Sequence, residues 1–165
     1  MRHKSFISDS SSLILLAKAD LLELLCKNAR IFITPTISKE ILFNSKDSEL
    51  IQVLISIGEI AVKRMKEMRM EENELPISLD KGERSALALF KKMEVDYLLL
   101  DDKKAAAYCK KYSIPYINAL LIPLYLRNCM AIDDQMMKKK IEFLNGIGRY
   151  AEWIKEYVSQ HRHIF

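Results

Sequence analysis

Short apolar runs alternate with longer stretches of helical periodicity along this chain. The runs at Phe6–Ser8, Ile31–Ile33, Val95–Leu100 and Tyr116–Ile117 predict strands. Apolar residues at helical spacing predict helices over residues 11–17, 21–26, 37–43, 48–57, 81–93, 103–112, 120–127, 133–144 and 151–160. Strands that alternate with helices in this way predict an α/β fold with a central, mostly parallel sheet, followed by C-terminal helices.

Local signals indicate where several of these elements begin and end. Pro35 closes the second strand. Asp80 caps the helix predicted at residues 81–93. Gly146 and Gly148 are the expected break between the last two helices. The polar stretch 66–74 is the best candidate for a mobile loop.

The length and composition indicate one sizeable core. With 165 residues, 50% of them hydrophobic, we expect a domain over residues 1–128 and a helical extension, residues 129–165, packed on the same domain. No apolar run approaches the roughly 18 residues of a membrane span, so we expect no membrane partner. The N-terminal stretch imitates a secretory signal, but its apolar part covers only Leu13–Leu16.

The cysteines and the net charge indicate the compartment and the kind of partner. The chain has 3 cysteines and no C-x-x-C spacing, which fits neither a disulfide framework nor a structural zinc site and indicates a reducing, cytoplasmic location. The net charge of +4 favours an anionic partner only weakly. Clusters of basic residues, among them Lys103 and Lys104, are explained either by solvated helix faces or by contact with nucleic acid.

Acidic residues stand directly after two of the predicted strands. Asp9 ends the first strand, and Asp101 and Asp102 follow the last apolar residue of another. In an open parallel sheet, ligands bind beyond the carboxyl ends of the strands, which share one edge. We therefore expect these three carboxylates to project from the same edge.

Two glutamates join them as candidates, and every acid has a structural alternative. Asp9 would serve as the N-cap of the first helix. One of Asp101 and Asp102 would cap the helix that follows them. Glu40, in the first turns of the helix after Pro35, would be a helix-dipole partner. Glu83 has the spacing of a capping box with Asp80.

As a set, these carboxylates have the chemistry of a site for a hard divalent cation. Mg²⁺ and Mn²⁺ prefer several oxygen ligands and usually keep bound waters. Such a site handles phosphodiesters, because the metal polarises a phosphoryl oxygen and generates hydroxide from bound water. Ser10 and Ser11 would then hold a ligand water or a phosphate oxygen, with capping of the first helix as the alternative.

The acids occur in four segments: ISDSSSLI at residues 7–14, ITPTISKE at 33–40, LDKGERSA at 79–86 and LLLDDKKA at 98–105. This ordered set resembles the PIN-domain ribonucleases, particularly the VapC-like toxins. The resemblance implies a three-layer α/β sandwich and a metal-dependent endoribonuclease that attacks with water and leaves a 5′-phosphate. It also implies a homodimer and, in many such toxins, a small protein antitoxin that fills the active-site groove.

The resemblance also assigns roles to individual residues. Asp9, Glu40 and Glu83 match the first three acidic positions, and the pair Asp101/Asp102 contains the fourth, with Asp102 favoured by the basic residue that follows it. Asp9, Glu83 and Asp102, with Asp101 nearby, would ligate Mg²⁺ or Mn²⁺, and Glu40 would hold or deprotonate a water. The chain departs from the pattern at Leu100, where relatives often have threonine or serine.

Three other functions compete with a nuclease. A phosphorelay receiver domain places an acidic pair after its first strand and a single acid later, which is the reverse of the order here. A phosphatase of the Asp-x-Asp type is disfavoured because residue 11 is serine. A catalytically silent PIN-like module that binds RNA or protein is the remaining alternative. In the nuclease, Lys103 and Lys104 would contact the backbone of single-stranded RNA.

Overall fold

A computed structural model describes residues 3–41, 45–64, 66, 72–148, 150, 152 and 158 of the chain. Five strands form one sheet in the order β3-β2-β1-β4-β5, and every neighbouring pair is parallel. The strands are β1 Lys4–Ser8, β2 Ala29–Ile33, β3 Ile60–Val62, β4 Tyr97–Leu99 and β5 Tyr116–Ile117. The helices among the described residues are α1 Ser10–Lys18, α2 Leu22–Asn28, α3 Pro35–Glu40, α4 Lys46–Ser56, α5 Lys81–Lys92, α6 Lys103–Lys111, α7 Ile122–Asn128 and α8 Asp134–Ile147, with a short 3₁₀ turn at Ala119–Leu121.

This architecture confirms the predicted three-layer α/β sandwich, with a central sheet that is parallel throughout its described strands. The core lies where the helices pack on the sheet. Phe6 and Ile7 of β1, the middle strand, are fully buried. The Phe6 ring stacks on Tyr97 of β4 and meets the Tyr125 ring of α7 edge-on. Leu13 and Leu16, which imitate a signal sequence, are core residues of α1.

The structure corrects several predicted boundaries. Strand β3 was not predicted, since only Ile60 of its three residues is fully buried and the run is too short to show an alternating pattern. The strand predicted at 95–100 is shorter at both ends and covers Tyr97–Leu99, although the Leu100 amide still donates to the Ile117 carbonyl of β5. Gly146 does not break the last helix: α8 continues through it to Ile147, and only Gly148 ends the helix. Most of the predicted helix at 151–160 and much of the predicted loop at 66–74 lie outside the described residues.

The C-terminal part of the described chain shares the core of the sheet. Helix α8 buries Met137 and Leu144, which belong to the same apolar cluster as the residues of β1 and α7. The division at residue 128 into a domain and an extension stays a prediction. Within the described ranges, no helix is both long and apolar enough to cross a membrane.

Candidate functional site

The carboxyl ends of β1 and β4 lie side by side and carry the first two candidate acids. Ser8 and Leu99 are paired in the parallel register, and the Asp9 amide donates a hydrogen bond to the carbonyl of Leu99 over 3.1 Å. The chain therefore brings Asp9 and Asp101 to one edge of the sheet, as their positions after predicted strands indicated.

Asp9 and Asp101 form a connected pair. The Asp9 carboxylate accepts the Ser12 amide on Oδ1 over 2.8 Å and the Asp101 amide on Oδ2 over 3.3 Å. Asp101 in turn accepts the Ser12 hydroxyl on Oδ2 over 2.6 Å. Two acids that lie 92 residues apart in the chain thus share one hydrogen-bonded network.

Burial makes this pair electrostatically costly. Asp9 is only 4% exposed. Burial, and secondarily the nearby charge of Asp101, raises the pKa of Asp9 to about 6. Burial also raises the pKa of Asp101, although hydrogen bonds from Ser12 and other donors oppose the shift. The fold therefore holds two neighbouring carboxylates whose ionised forms are poorly solvated.

Glu83 and Asp102 form a second pair from the N-termini of two helices. Glu83 belongs to a capping box on α5, in which its Oε2 accepts the Asp80 amide over 2.9 Å and Asp80 Oδ1 accepts the Glu83 amide over 2.7 Å. Asp102 caps α6, with Oδ1 accepting the amides of Lys104 and Ala105. Burial raises the pKa of Glu83 to about 7; the hydrogen bond from the Asp80 amide opposes the shift, and the charges of Asp80 and Asp102 add to it.

Glu40 is the last residue of α3, and this position corrects one structural explanation for it. We expected Glu40 in the first turns of a longer helix, where an acid stabilises the helix dipole. Because α3 has only 6 residues, Glu40 instead stands at the C-terminal end, where the dipole disfavours an acid. Helix stability therefore does not explain this glutamate.

The carboxyl end of Glu40 lies between α1 and α5. Ser10 donates its hydroxyl to Glu40 Oε2 over 3.0 Å. A Cβ atom added at Gly82, next to Glu83, would lie 2.6 Å from the same oxygen, so only glycine leaves room for the carboxylate here. Partial burial of the carboxyl group raises the pKa of Glu40. Glu40 thus borders the Glu83 side of the site and reaches α1 through Ser10.

The remaining predicted residues lie at the same sheet edge but outside the acid pairs. Ser11 donates its hydroxyl to Asp9 Oδ2 over 3.1 Å. Lys103 and Lys104 are exposed in the first turn of α6. The helix dipole disfavours cations at this end, so the two lysines do not stabilise α6 through its dipole.

Capping and site chemistry coexist in these acids. The structural alternatives for Asp9 and Glu83 are confirmed, because Asp9 is the N-cap of α1 and Glu83 completes a capping box. A cap uses an oxygen as a hydrogen-bond acceptor, and a carboxylate has further lone pairs to offer. Capping therefore positions these groups and leaves them capacity for a ligand.

The donor set fits a divalent cation. Within the described part of the chain, no group of three His, Cys, Asp or Glu side chains is arranged as a complete metal site. Mg²⁺, however, usually keeps several waters and binds through one or two carboxylates. The two acid pairs present such oxygen ligands. A bound cation would offset the cost of burying Asp9, Asp101 and Glu83, whose pKa values are raised by burial.

Three residues that shape this site were not predicted from the sequence. Ser12 joins Asp9 to Asp101, and its spacing of three residues from the N-cap was a usable signal. Gly82 makes room for Glu40, and Tyr150 donates its hydroxyl to Asp101 Oδ1 over 2.7 Å. No local pattern pointed to Gly82 or Tyr150, because each acts on a residue far away in the chain.

A protein-family model described as DUF3368, a PIN domain, matches residues 5–158 of the chain. The chain belongs to the PIN-domain family. Its nuclease-like fold and the acids at the sheet edge agree with that membership, and the match includes α8 and Tyr150 of this PIN domain. No curated protein matches the sequence.

Proposed function

We propose that this PIN domain is an endoribonuclease that depends on Mg²⁺ or Mn²⁺ and hydrolyses single-stranded RNA. The observation that carries the proposal is the convergence of two carboxylate pairs, Asp9/Asp101 and Glu83/Asp102, at one edge of the sheet. Burial and like charge raise the pKa values of Asp9 in one pair and Glu83 in the other. Such an arrangement opposes folding at neutral pH unless a cation is bound, which supports a role in binding metal.

Asp9, Glu83 and Asp102, with Asp101 nearby, are the residues that would hold the ion or ions. Each of these three also caps a helix, so its carboxylate is fixed by backbone amides. When bound, the metal would polarise the scissile phosphoryl oxygen and lower the pKa of a water. Hydrolysis with water as the nucleophile would leave a 5′-phosphate on one product and a 3′-hydroxyl on the other.

Glu40 is the residue we assign to the attacking water. Its pKa is raised by partial burial, which makes the carboxylate a better proton acceptor. The Ser10 hydroxyl donates to Oε2 of Glu40 and the Gly82 amide also donates to this carboxylate, so its orientation is fixed. Glu40 would hold the water and take its proton as the phosphodiester is attacked.

The substrate would approach along the N-terminus of α6. Lys103 and Lys104 are exposed beside Asp102 and would contact phosphates of a single strand, which makes binding weaken with salt. Ser10 and Ser11 would hold a phosphate oxygen or a ligand water, with their hydroxyl groups turning from Glu40 and Asp9 to do so. A homodimer and a small antitoxin protein are further parts of this proposal and rest on the resemblance to VapC-like toxins alone.

Cleavage of a labelled single-stranded RNA tests the proposal. We would compare the purified protein with Mn²⁺, the protein with EDTA, and the Asp9→Asn variant with Mn²⁺. Asparagine is as good an N-cap as aspartate, so the variant should fold. The expected result is cutting that requires both the metal and Asp9.

Asp133→Asn is a matched control for this experiment. Asp133 is exposed and caps α8 through the Met136 amide over 2.7 Å. The 14 residues of α8 separate it from the end that leads to Tyr150, a length of roughly 20 Å. This variant should cut like the wild type. If no protein cuts and calorimetry detects no metal binding, the chain is a catalytically silent PIN-like module that binds RNA or protein.

A further inference from the structure

The Asp101 carboxylate is held by donors from three separate parts of the chain. On Oδ2 it accepts the Ser12 hydroxyl over 2.6 Å and the Ala119 amide over 3.2 Å. On Oδ1 it accepts the Tyr150 hydroxyl over 2.7 Å. Because both oxygens are engaged, the plane of this carboxylate is fixed.

Tyr150 is the donor that comes from beyond the last described helix. Gly148 ends α8 and donates its amide to the Leu144 carbonyl over 2.7 Å, and Leu144 is fully buried in the core. The end of α8 is therefore anchored, and Tyr150 lies only two residues further along the chain. This position brings Tyr150 to the carboxylate edge of the sheet.

The Tyr150 ring is seated against Gly148. A Cβ atom added at Gly148 would collide with Cε2 of the ring and lie 2.7 Å from Cδ2. The backbone of Gly148, with φ −86° and ψ 155°, is a conformation that any residue adopts. Glycine is required here because an added Cβ would meet the Tyr150 ring first, and would also lie 2.9 Å from the carbonyl oxygen of Leu144. Gly148 thus provides the surface that directs the tyrosine hydroxyl at Asp101.

We propose that Tyr150 is a positioning residue of the metal site. Its hydroxyl orients Asp101, whose backbone amide in turn donates to Oδ2 of Asp9, so both acids depend on the same placement. The inference rests on the proposed function, since it assigns Tyr150 a role in how tightly the site binds its cation. Partners of this kind that orient metal ligands affect metal affinity by roughly 10- to 100-fold.

Calorimetric titration with Mn²⁺, without RNA, tests this role directly. Tyr150→Phe keeps the ring and removes the hydroxyl, whereas Gly148→Ala keeps the hydroxyl and displaces the ring. We expect both variants to bind Mn²⁺ roughly 10- to 100-fold more weakly than the wild type. RNA cleavage by Tyr150→Phe should need correspondingly more Mn²⁺ and recover at saturation.

Tyr112→Phe is the matched control. Tyr112 is exposed and lies beyond the C-terminal end of α6, about 14 Å along the helix from Asp102. It should bind Mn²⁺ like the wild type. A Tyr150→Phe variant that melts at a lower temperature but binds Mn²⁺ with unchanged affinity would show that Tyr150 has only a packing role. That result would overturn this inference and leave the proposed function intact. A wild-type protein that binds no Mn²⁺ would overturn the proposed function with it.

Discussion

Ser12 donates its hydroxyl to Oδ2 of Asp101 over 2.6 Å, across a sequence separation of 89 residues. The same serine donates its amide to Asp9, the N-cap of α1. One residue in the first turn of α1 therefore links the acid after β1 with the acid after β4. The two strand ends are joined by hydrogen bonds, so a substitution at Ser12 should affect both acids.

Ser12→Ala should weaken metal-dependent cleavage. Alanine keeps the amide that donates to the Asp9 N-cap and removes only the hydroxyl that orients Asp101. We expect roughly 10- to 100-fold lower activity at limiting Mn²⁺. The lost hydrogen bond to a charged group should also lower the free energy of unfolding, measured by urea denaturation, by about 2 kcal/mol. Ser56→Ala, which removes an exposed hydroxyl at the end of α4, should leave cleavage unchanged.

The metal-free protein should lose stability as the pH rises from about 4 to 7. The pKa of Asp9 rises from 3.8 to about 6 on folding, so between these values the native state binds more protons than the unfolded chain. Its free energy of unfolding therefore falls with pH, by about 3 kcal/mol from Asp9. Glu83, with a pKa raised to about 7, acts in the same direction.

Urea denaturation at several pH values, with and without Mn²⁺, measures this effect. Asp9→Asn should become more stable relative to the wild type as the pH rises from 4 to 6, because the variant has no carboxylate to ionise. Excess Mn²⁺ should remove the loss in the wild type, since a bound cation favours the ionised acid. A stability difference between the two proteins that does not change with pH would contradict the buried, ionisable state of Asp9.

Gly82→Ala should separate activity from stability. The new methyl group would lie 2.6 Å from Oε2 of Glu40 and displace that carboxylate from the site. Alanine is favoured over glycine inside a helix by up to about 1 kcal/mol, so α5 should not suffer. We expect lower cleavage with an unchanged or higher melting temperature. Gly146→Ala in α8 adds a methyl group with nothing within 4 Å and should leave cleavage intact.

Glu83→Gln and Asp80→Ala should divide capping from chemistry in α5. Glutamine can still accept the Asp80 amide but carries no charge, so metal binding should fall while the melting temperature is retained. Alanine at Asp80 removes the N-cap and should cost about 1 kcal/mol in the free energy of unfolding, with Mn²⁺ affinity less affected. Equal loss of Mn²⁺ affinity in both variants would mean that Glu83 serves the helix and not the metal.

The lysines at the start of α6 should govern RNA affinity. The double variant Lys103→Gln/Lys104→Gln should bind a single-stranded RNA more weakly and with a smaller salt dependence, by roughly 0.7 in the log–log slope per lost phosphate contact. Lys110→Gln/Lys111→Gln removes the same charge from the other end of the same helix. Equal effects of the two double variants, measured by filter binding, would indicate an attraction to net charge without a defined path for the RNA.

The sequence alone determined the fold class of this protein and the positions of its acids relative to the strands and helices. Periodicity separated strands from helices because burial on a sheet and burial on a helix require different spacings of apolar residues. Asp9 and Asp101 follow the apolar runs of their strands, and parallel strands end at a common edge, so their proximity followed from the order of elements. The capping box of Asp80 and Glu83 was visible because its four residues are contiguous.

Where the signal was weak or misleading, the physical cause is identifiable. Strand β3 has three residues and one fully buried position, which is too little for a periodic pattern. Glu40 was expected near a helix start, but α3 ends there, so the residue that appeared to serve the dipole opposes it. Propensity describes local preference, and packing against the rest of the chain decided these two cases.

The finest features of the site were decided by the tertiary structure only. Tyr150 reaches Asp101 across 49 residues, and Gly82 makes room for Glu40 of another helix. Such contacts depend on how helices pack against the sheet and where each helix ends. The residues that flank Tyr150 and Gly82 in the sequence do not predict them. The sequence placed acids at the ends of strands because that requires only local order; their orientation required the packed fold.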